Sequence, residues 1–209
     1  MGKGYFTLKA HAEERFIERK SEFIGNAAPV TTEKEALEFI NKIRSKYSDA
    51  THNVYAYILR EGNLTRFSDY GEPHGTAGLP VLDVLRKEQL CDCAVVVTRY
   101  FGGILLGAGG LVRAYSAGAK IGIDGAEKIF LKPFDILEIR TDYGRYNRIA
   151  QLMSAHRVYT VDSDFSDSVY IKAKVPAERT AAFTDSVREA TNAIVTVNVI
   201  GEEYGYEKD

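Results

Sequence analysis

Two cysteines among 209 residues, Cys91 and Cys93, are too few and too close together for a disulfide framework or a metal cage. They stand one residue apart at the start of a predicted strand, so their thiols share a face and do not bridge comfortably. None of His11, His52, His74 and His156 lies at a spacing that completes a zinc-type ligand set. Both thiols therefore read as buried or half-buried side chains, and no metal is expected. No apolar run reaches the length that crosses a bilayer, and the opening MGKGYFTLKAHAEERF lacks the apolar core of a secretion signal. Neither membrane insertion nor export is expected, and a cytoplasmic location is. Position 6, where an N-myristoylation pattern needs Ser or Thr, is Phe6. An excess of one charge is missing as well, with 27 Lys+Arg against 29 Asp+Glu. Through Phe130 the count is 17 against 16, and beyond it 10 against 13. Neither half is a nucleic-acid binder by composition, so any such role has to rest on a local patch. The hydrophobic content, 45%, is enough to fill the cores of one large or two ordinary domains.

Glycine, by contrast, is concentrated. In VVVTRYFGGILLGAGGLVRAY, from Val95 to Tyr115, an apolar run stops at Arg99 and gives way to Gly102, Gly103, Gly107, Gly109 and Gly110 before Arg113. Ala94 to Thr98 reads as a buried strand and about Gly109 to Lys120 as a helix, whose small residues Ala114, Ala117 and Gly118 permit close packing. The glycines thus fall in a strand-to-helix loop. Such a loop lets a ligand or a second backbone approach closely, and the helix start offers unpaired N–H groups to an anion. The same glycines also suit a plain tight turn. A second segment, FSDYGEPHGTAGLPVLDVL from Phe67 to Leu85, is another polar loop feeding a helix. It carries Asp69, Gly71, Glu72, Pro73, His74, Gly75, Thr76 and Gly78. Thr76 or a neighbouring glycine is the expected cap, and Pro80 limits how early regular hydrogen bonding begins. The two loops are expected to line one cleft, with Arg99 and Arg113 at its rim.

These blocks, GEPHGTAGLPVL and VVVTRYFGGILLGAGGLVRAYS, are preceded by KSEFIG at Lys20 to Gly25 and THNVYAY at Thr51 to Tyr57. In this order they resemble the YigZ/IMPACT family, also called uncharacterised protein family 0029. The resemblance runs from Lys20 to Ser116, and the rest of the chain suits the smaller second domain of bacterial members. It implies an α+β fold. The N-terminal domain, residues 1–132, is then similar to domain 2 of a ribosomal small-subunit protein and to domain IV of elongation factor G. The C-terminal domain, 133–209, is then ferredoxin-like, βαββαβ, and similar to domain V of that factor. Eukaryotic members act in translational control by competing for the activator of a stress kinase, through an extra N-terminal domain for which this chain has no room. One departure is Tyr70, directly before Gly71-Glu72-Pro73, where the family pattern implies an acidic residue. That puts in doubt any metal or proton-transfer role of that carboxylate.

The residues suggest much of this architecture without the family. Thr32 and Glu35 form a capping box for a helix whose Ala36, Ile40, Ile43 and Tyr47 share one face. Strands are predicted at Tyr5 to Leu8, Phe23 to Val30 and Val54 to Leu59. After a boundary near Lys132 and Pro133 the order becomes β-α-β-β-α-β. Ile136 to Arg140 is a strand, Ile149, Leu152, Met153 and His156 mark a helix face, and Val169, Ile171, Ala173 and Val175 alternate. A helix after Pro176 turns Phe183, Val187 and Ala190 inward, Ile194 to Ile200 closes the sheet, and an acidic tail from Glu202 is expected to fray.

Two functions fit. The first is noncatalytic binding of RNA or the ribosome in translation regulation, with translation factors as further candidate partners and a monomer favoured. Lys20, Arg99 and Arg113, with Arg66 as a weaker candidate, would hold phosphates beside the amides of both loops. Tyr100 or Phe101 would supply a stacking face, and Tyr57 is a further aromatic candidate. The second is an enzyme acting on a phosphorylated small molecule or nucleotide, with Glu72 or His74 as base and Arg99 stabilising developing charge. Against it, no Gly-Lys-Ser/Thr phosphate loop is present, and Val112 stands where a dinucleotide GxGxxG read from Gly107 needs glycine. No Ser-His-Asp order is recognisable. His52 reads as a polar strand-entrance residue satisfied by backbone, with catalysis as the rarer alternative. No cofactor is expected.

Overall fold

An apolar run such as Ala94 to Thr98 needs cover on both faces, and the structure, a computed structural model describing residues 4–207, provides it. The chain divides into two units, Tyr5–Phe130 and a second that joins Gly4 to the residues from Leu131 onward. In chain order the first holds strands β1 (Tyr5–Leu8), β2 (Ala12–Glu18) and β3 (Ser21–Pro29), helix α1 (Glu33–Lys46), and strands β4 (His52–Leu59) and β5 (Leu64–Ser68). Helix α2 (Gly78–Lys87), strand β6 (Cys93–Tyr100) and helix α3 (Gly107–Gly125) follow. Five strands form an antiparallel sheet in the order β2-β3-β6-β4-β5, with β6 at its centre. Val95 and Val97 of β6 pack into a core with Val81, Leu82 and Leu85 of α2 and Leu111 and Tyr115 of α3. Ala94 and Val96 face the other way, onto Ile40 and Ile43 of α1. Fully burying a valine contributes about 1.5–3 kcal/mol, so both sides of the sheet stabilise the run.

Small residues set how closely α3 lies on the sheet. A Cβ on Gly25 would sit 2.0 Å from the Gly118 carbonyl oxygen, and one on Gly118 would sit 2.7 Å from Val97 Cγ1. Helix α1 is capped by Thr32, whose hydroxyl accepts from the Glu35 N–H at 3.2 Å. The reciprocal half of the expected capping box shifts by one residue, because Glu35 accepts from the Thr31 N–H at 2.7 Å. Strands β2 and β5 add to those that the sequence predicts. Their exposed, mixed-polarity residues lie at the two sheet edges and carry little alternation.

The division between the units falls between Phe130 and Leu131, inside the continuous strand β7 (Lys128–Thr141), one to two residues before the boundary that the sequence places near Lys132 and Pro133. Helix α4 (Tyr143–Ala155), strands β8 (Tyr159–Phe165) and β9 (Val169–Pro176), helix α5 (Thr180–Ala190) and strand β10 (Val197–Tyr206) complete the chain. The strands of this unit run β10-β7-β9-β8 with each of these neighbours antiparallel, which is the ferredoxin-like arrangement of a βαββαβ unit. Its core joins Leu137 and Ile139 to Val169 and Ile171, under Ile149 and Met153 of α4 and Phe183 and Val187 of α5. His156 bonds Ser186 Oγ through Nε2 at 3.0 Å, a packed structural histidine.

Three details differ from what the sequence predicts. Ala190 is exposed rather than inward. The closing strand begins at Val197, not Ile194, and the acidic segment from Glu202 does not fray, because Glu202 to Tyr206 pair with Asp135 back to Leu131. Glu207 then forms ion pairs with Lys132 and Arg179. The Lys132 hydrogen bond, opposed by partial burial and aided by Arg179, holds the Glu207 carboxyl down to about 2.

Candidate functional site

The loop after β5 is organised by a carboxylate rather than by its glycines. Asp69 accepts from the N–H groups of Gly75 at 2.9 Å, Ala77 at 3.1 Å and Gly78 at 2.8 Å. Burial alone would raise its pKa, but these three backbone donors outweigh it and hold the carboxyl below its ordinary range. Asp69 thus caps α2, and Thr76, the expected cap, instead donates its hydroxyl to the Pro73 carbonyl at 2.7 Å. The α2 N–H groups at Ala77 and Gly78 are consequently occupied by the chain itself. Gly71 and Gly75, with φ of +87° and +75°, turn the loop around this carboxylate.

The fixed loop delivers Glu72 into the interior. Its side chain is 3% exposed, and its Oε1 accepts from Arg99 Nη1 at 2.6 Å and from the Tyr115 hydroxyl at 2.7 Å. Burial, reinforced by the charge of Glu72, pushes the Tyr115 phenol far above its ordinary range. Arg99 is 6% exposed in its side chain and lies between the Phe23 and Phe101 rings, at 5.6 and 5.4 Å from their centroids. Its Nε is buried with no hydrogen-bond partner. His52 donates from Nδ1 to the Tyr70 carbonyl at 2.9 Å, since a carbonyl only accepts. Its Nε2 stands 3.7 Å from Glu72 Oε1.

Above this floor opens a cleft of about 410 Å³. Thr51, His52, Glu72 and Arg99 form its polar side, and Pro73, Phe101, Leu105, Leu106, Ala108 and Leu111 its apolar wall, with Gly107 at the start of α3. Both glycine-bearing loops therefore border one cleft. Arg99, expected at the rim, belongs to the floor, because residues on β6 alternate and this one faces α2 and α3. Arg113 lies outside the cleft and lines a separate groove of about 220 Å³ with Phe16, Glu18 and Arg19. Gly109 and Gly110 are helical, since α3 begins at Gly107. Lys20 sits at the β2–β3 turn, where Gly102 presses against it, and Gly103 turns the loop with φ of +83°.

Tyr100 points to the opposite sheet face and donates to Asp49 at 2.7 Å, a bond that raises its phenol to about 12. Tyr57 is buried on that same face and donates to Glu33 at 2.8 Å, so neither tyrosine lines the cleft. Arg66 lies on edge strand β5 and donates to the Thr65 carbonyl at 3.2 Å. His74 is 99% exposed and 3.7 Å from Asp69, outside the cleft lining. Asp69, Tyr115, Leu105 and Leu106 belong to the site although the sequence does not single them out for it. Tyr115 is legible only as a polar-tipped residue on the apolar face of α3. Cys93 is buried, which pushes its thiol above its ordinary range, and Cys91 shifts the same way. Among the described residues no group of three His, Cys, Asp or Glu side chains is placed to hold a metal ion, and no helix is long and apolar enough to cross a membrane.

An antiparallel sheet with a buried carboxylate–guanidinium floor, followed by a βαββαβ unit, defines a two-part α+β protein, and comparison with known proteins divides the chain in the same way. The Impact N-terminal domain matches residues 19–123, and a domain of unknown function, DUF1949, matches 139–193. The chain is 39% identical to the IMPACT family member YvyE of Bacillus subtilis over 189 residues, 90% of this chain and 87% of that one. It is 29% identical to the IMPACT family member YigZ of Escherichia coli over 187 residues, 88% and 92% of the two chains. A crystal structure described as that of a hypothetical protein superposes with a TM-score of 0.61 at 27% identity, over 96% of this chain and 99% of the other. The chain belongs to the IMPACT family and is a two-domain member of the bacterial YigZ type.

Proposed function

We propose that the chain regulates translation in the cytoplasm by binding RNA or the ribosome without catalysis, with the cleft over Arg99 as the docking site. The observation that carries this reading is the engagement of Glu72. This buried carboxylate accepts from Arg99 and Tyr115 through the same oxygen, Oε1, and so ties the loop before α2 to β6 and α3, a structural use that needs no chemistry at the cleft. His74, the other base weighed, projects into solvent. What remains is a recognition surface. The floor pairs its own charges, and the wall of Phe101, Leu105 and Leu106 is apolar, which suits the flat face of an unstacked base. The His52 ring and the Thr51 hydroxyl border the same space and can meet a base edge. Membership of the IMPACT family supports a link to translation only at the level of the shared domain, since the kinase-pathway domain of the eukaryotic members has no counterpart in this reading.

Co-sedimentation with ribosomes, beside fluorescence anisotropy with a single-stranded RNA oligonucleotide, tests this. Leu105 is 81% exposed, so Leu105→Asp spares the core while placing a carboxylate in the wall. Losing the apolar support of one base costs on the order of 1–3 kcal/mol, so the variant should bind about 5- to 150-fold more weakly. Wild-type protein that binds neither RNA nor ribosomes at low salt, or that consumes a phosphorylated metabolite in a Glu72-dependent manner, overturns the reading.

A further inference from the structure

The cleft's own arginine is neutralised by Glu72, so the positive charge that a phosphodiester needs lies elsewhere. It is concentrated at the tip of the β2–β3 hairpin and on α3. Arg113 forms no ion pair among the described residues, nor does Lys20, and Arg19 has only a 3.9 Å contact with Glu18. Arg19 and Arg113 line the same 220 Å³ groove, and Leu106 is a wall of both this groove and the cleft.

The geometry points to a bipartite site, in which the groove between Arg19 and Arg113 holds a backbone phosphate of a single-stranded RNA whose base occupies the adjoining cleft. The phosphate subsite rests on the RNA-binding reading above and brings in a residue, Arg19, that the cleft alone does not suggest. Two guanidinium groups on one small cavity are the donor set that planar, bidentate phosphate recognition uses. The tip is also held in place. A Cβ on Gly102 would fall 1.9 Å from the Lys20 carbonyl oxygen, and the Gly102 N–H donates to Ser21 Oγ at 3.2 Å, so the cleft loop and the cationic turn lie against each other. Both turn residues sit in the left-handed region, Arg19 at φ 44° and Lys20 at φ 65°, where Asn-Gly is the usual pair. Glu18, half-exposed in the same groove, is the one opposing charge and tunes the affinity downward.

Anisotropy titrations of the full chain with a single-stranded oligouridylate at several salt concentrations test the subsite. Arg19→Ala and Arg113→Ala should each lower the magnitude of the slope of log affinity against log salt, and the double variant, which leaves the groove phosphate without a cation, by about 0.7. Each should weaken binding about tenfold at low salt, and Glu18→Gln should strengthen it. All of these positions are at the surface, and thermal unfolding confirms that the variants fold. Unchanged slopes in both arginine variants, with Leu105→Asp still defective, overturn the groove while leaving the cleft reading intact. Wild-type protein with no affinity for RNA or ribosomes removes both. Ribosome binding with a flat salt response and no affinity for free RNA assigns the contact to a protein surface and overturns the subsite as well.

Discussion

Glu72 and Arg99 stand 27 positions apart in the sequence and 2.6 Å apart in space, a buried ion pair that ties the loop before α2 to the central strand of the sheet. Removing one member of such a pair leaves the other charged and desolvated, which costs about 3–5 kcal/mol, whereas replacing both by apolar groups is close to neutral. Glu72→Ala should therefore lower the stability measured by urea unfolding by about that amount, and Glu72→Leu combined with Arg99→Met should recover most of it. A double variant no more stable than Glu72→Ala would mean that the cost lies in the loop and not in the pair.

Tyr115 donates to the same carboxylate oxygen, which links alkaline stability to the site. Its phenol, raised by burial and by Glu72, stays protonated in the folded chain well past its ordinary value of 10.0. The unfolded phenol ionises near that ordinary value, so the stability it contributes is fully present below about pH 10 and is lost as pH rises beyond it. Tyr5 and Tyr57, both raised to about 12, act in the same direction. Tyr115→Phe should reduce stability at pH 7 by about 1–2 kcal/mol and flatten the decline above pH 10, as read from urea midpoints between about pH 7 and 11. An unaltered alkaline slope would show that Tyr115 is not a main contributor.

Asp69 works at the acid end. Its carboxyl is held below its ordinary 3.8 by three backbone donors, so its contribution is present above that value and fades as pH falls through the lower folded one. Asp69→Ala should cost about 1–2 kcal/mol at pH 7 as α2 loses its cap, with the deficit shrinking as pH falls below the ordinary carboxyl value of 3.8. Asp69→Asn should retain part, because Oδ1 alone serves Ala77 and Gly78. Amide exchange at Ala77 and Gly78 is the direct measurement, and faster exchange there in Asp69→Ala is the expected outcome.

The contrast between Asp69 and Thr76 shows where sequence reasoning reaches. A Thr in a glycine-rich loop before a helix is a sound local cap, and three strands and both helices of the βαββαβ unit, the Thr32 cap and the apolar strand at Ala94 to Thr98 are legible because each signal lies within a few residues. The Asp69 bonds reach six to nine residues forward through a turn whose geometry no local pattern encodes. The cleft is legible as two loops, but the state of Arg99 is not, since alternation on β6 decides that it faces inward and only the fold brings Glu72 to it. Strand β8 is hidden for a simpler reason. All seven of its residues are exposed, so no inside–outside alternation marks it. The tail after Glu202 is solvated by composition and ordered by pairing with β7, a partner some 70 residues away in sequence.

The β2–β3 turn combines strain with charge, and that combination separates stability from binding. Arg19 and Lys20 form a two-residue hairpin loop between the paired Glu18 and Ser21, both with positive φ. A side chain in the left-handed region costs about 1 kcal/mol relative to a residue that tolerates it, and Asn-Gly is the pair that this turn prefers. Replacing Arg19 by Asn and Lys20 by Gly should therefore stabilise the chain by about 1–2 kcal/mol, raising its thermal midpoint by several degrees. The same change removes two cations from beside the groove, so RNA affinity should fall and its salt slope should flatten by about 0.7 for each phosphate no longer neutralised. A variant that is more stable and binds more weakly marks the turn as kept for its charge. If it is more stable and binds RNA as before, the strain has no part in recognition and the Arg19 half of the subsite is wrong.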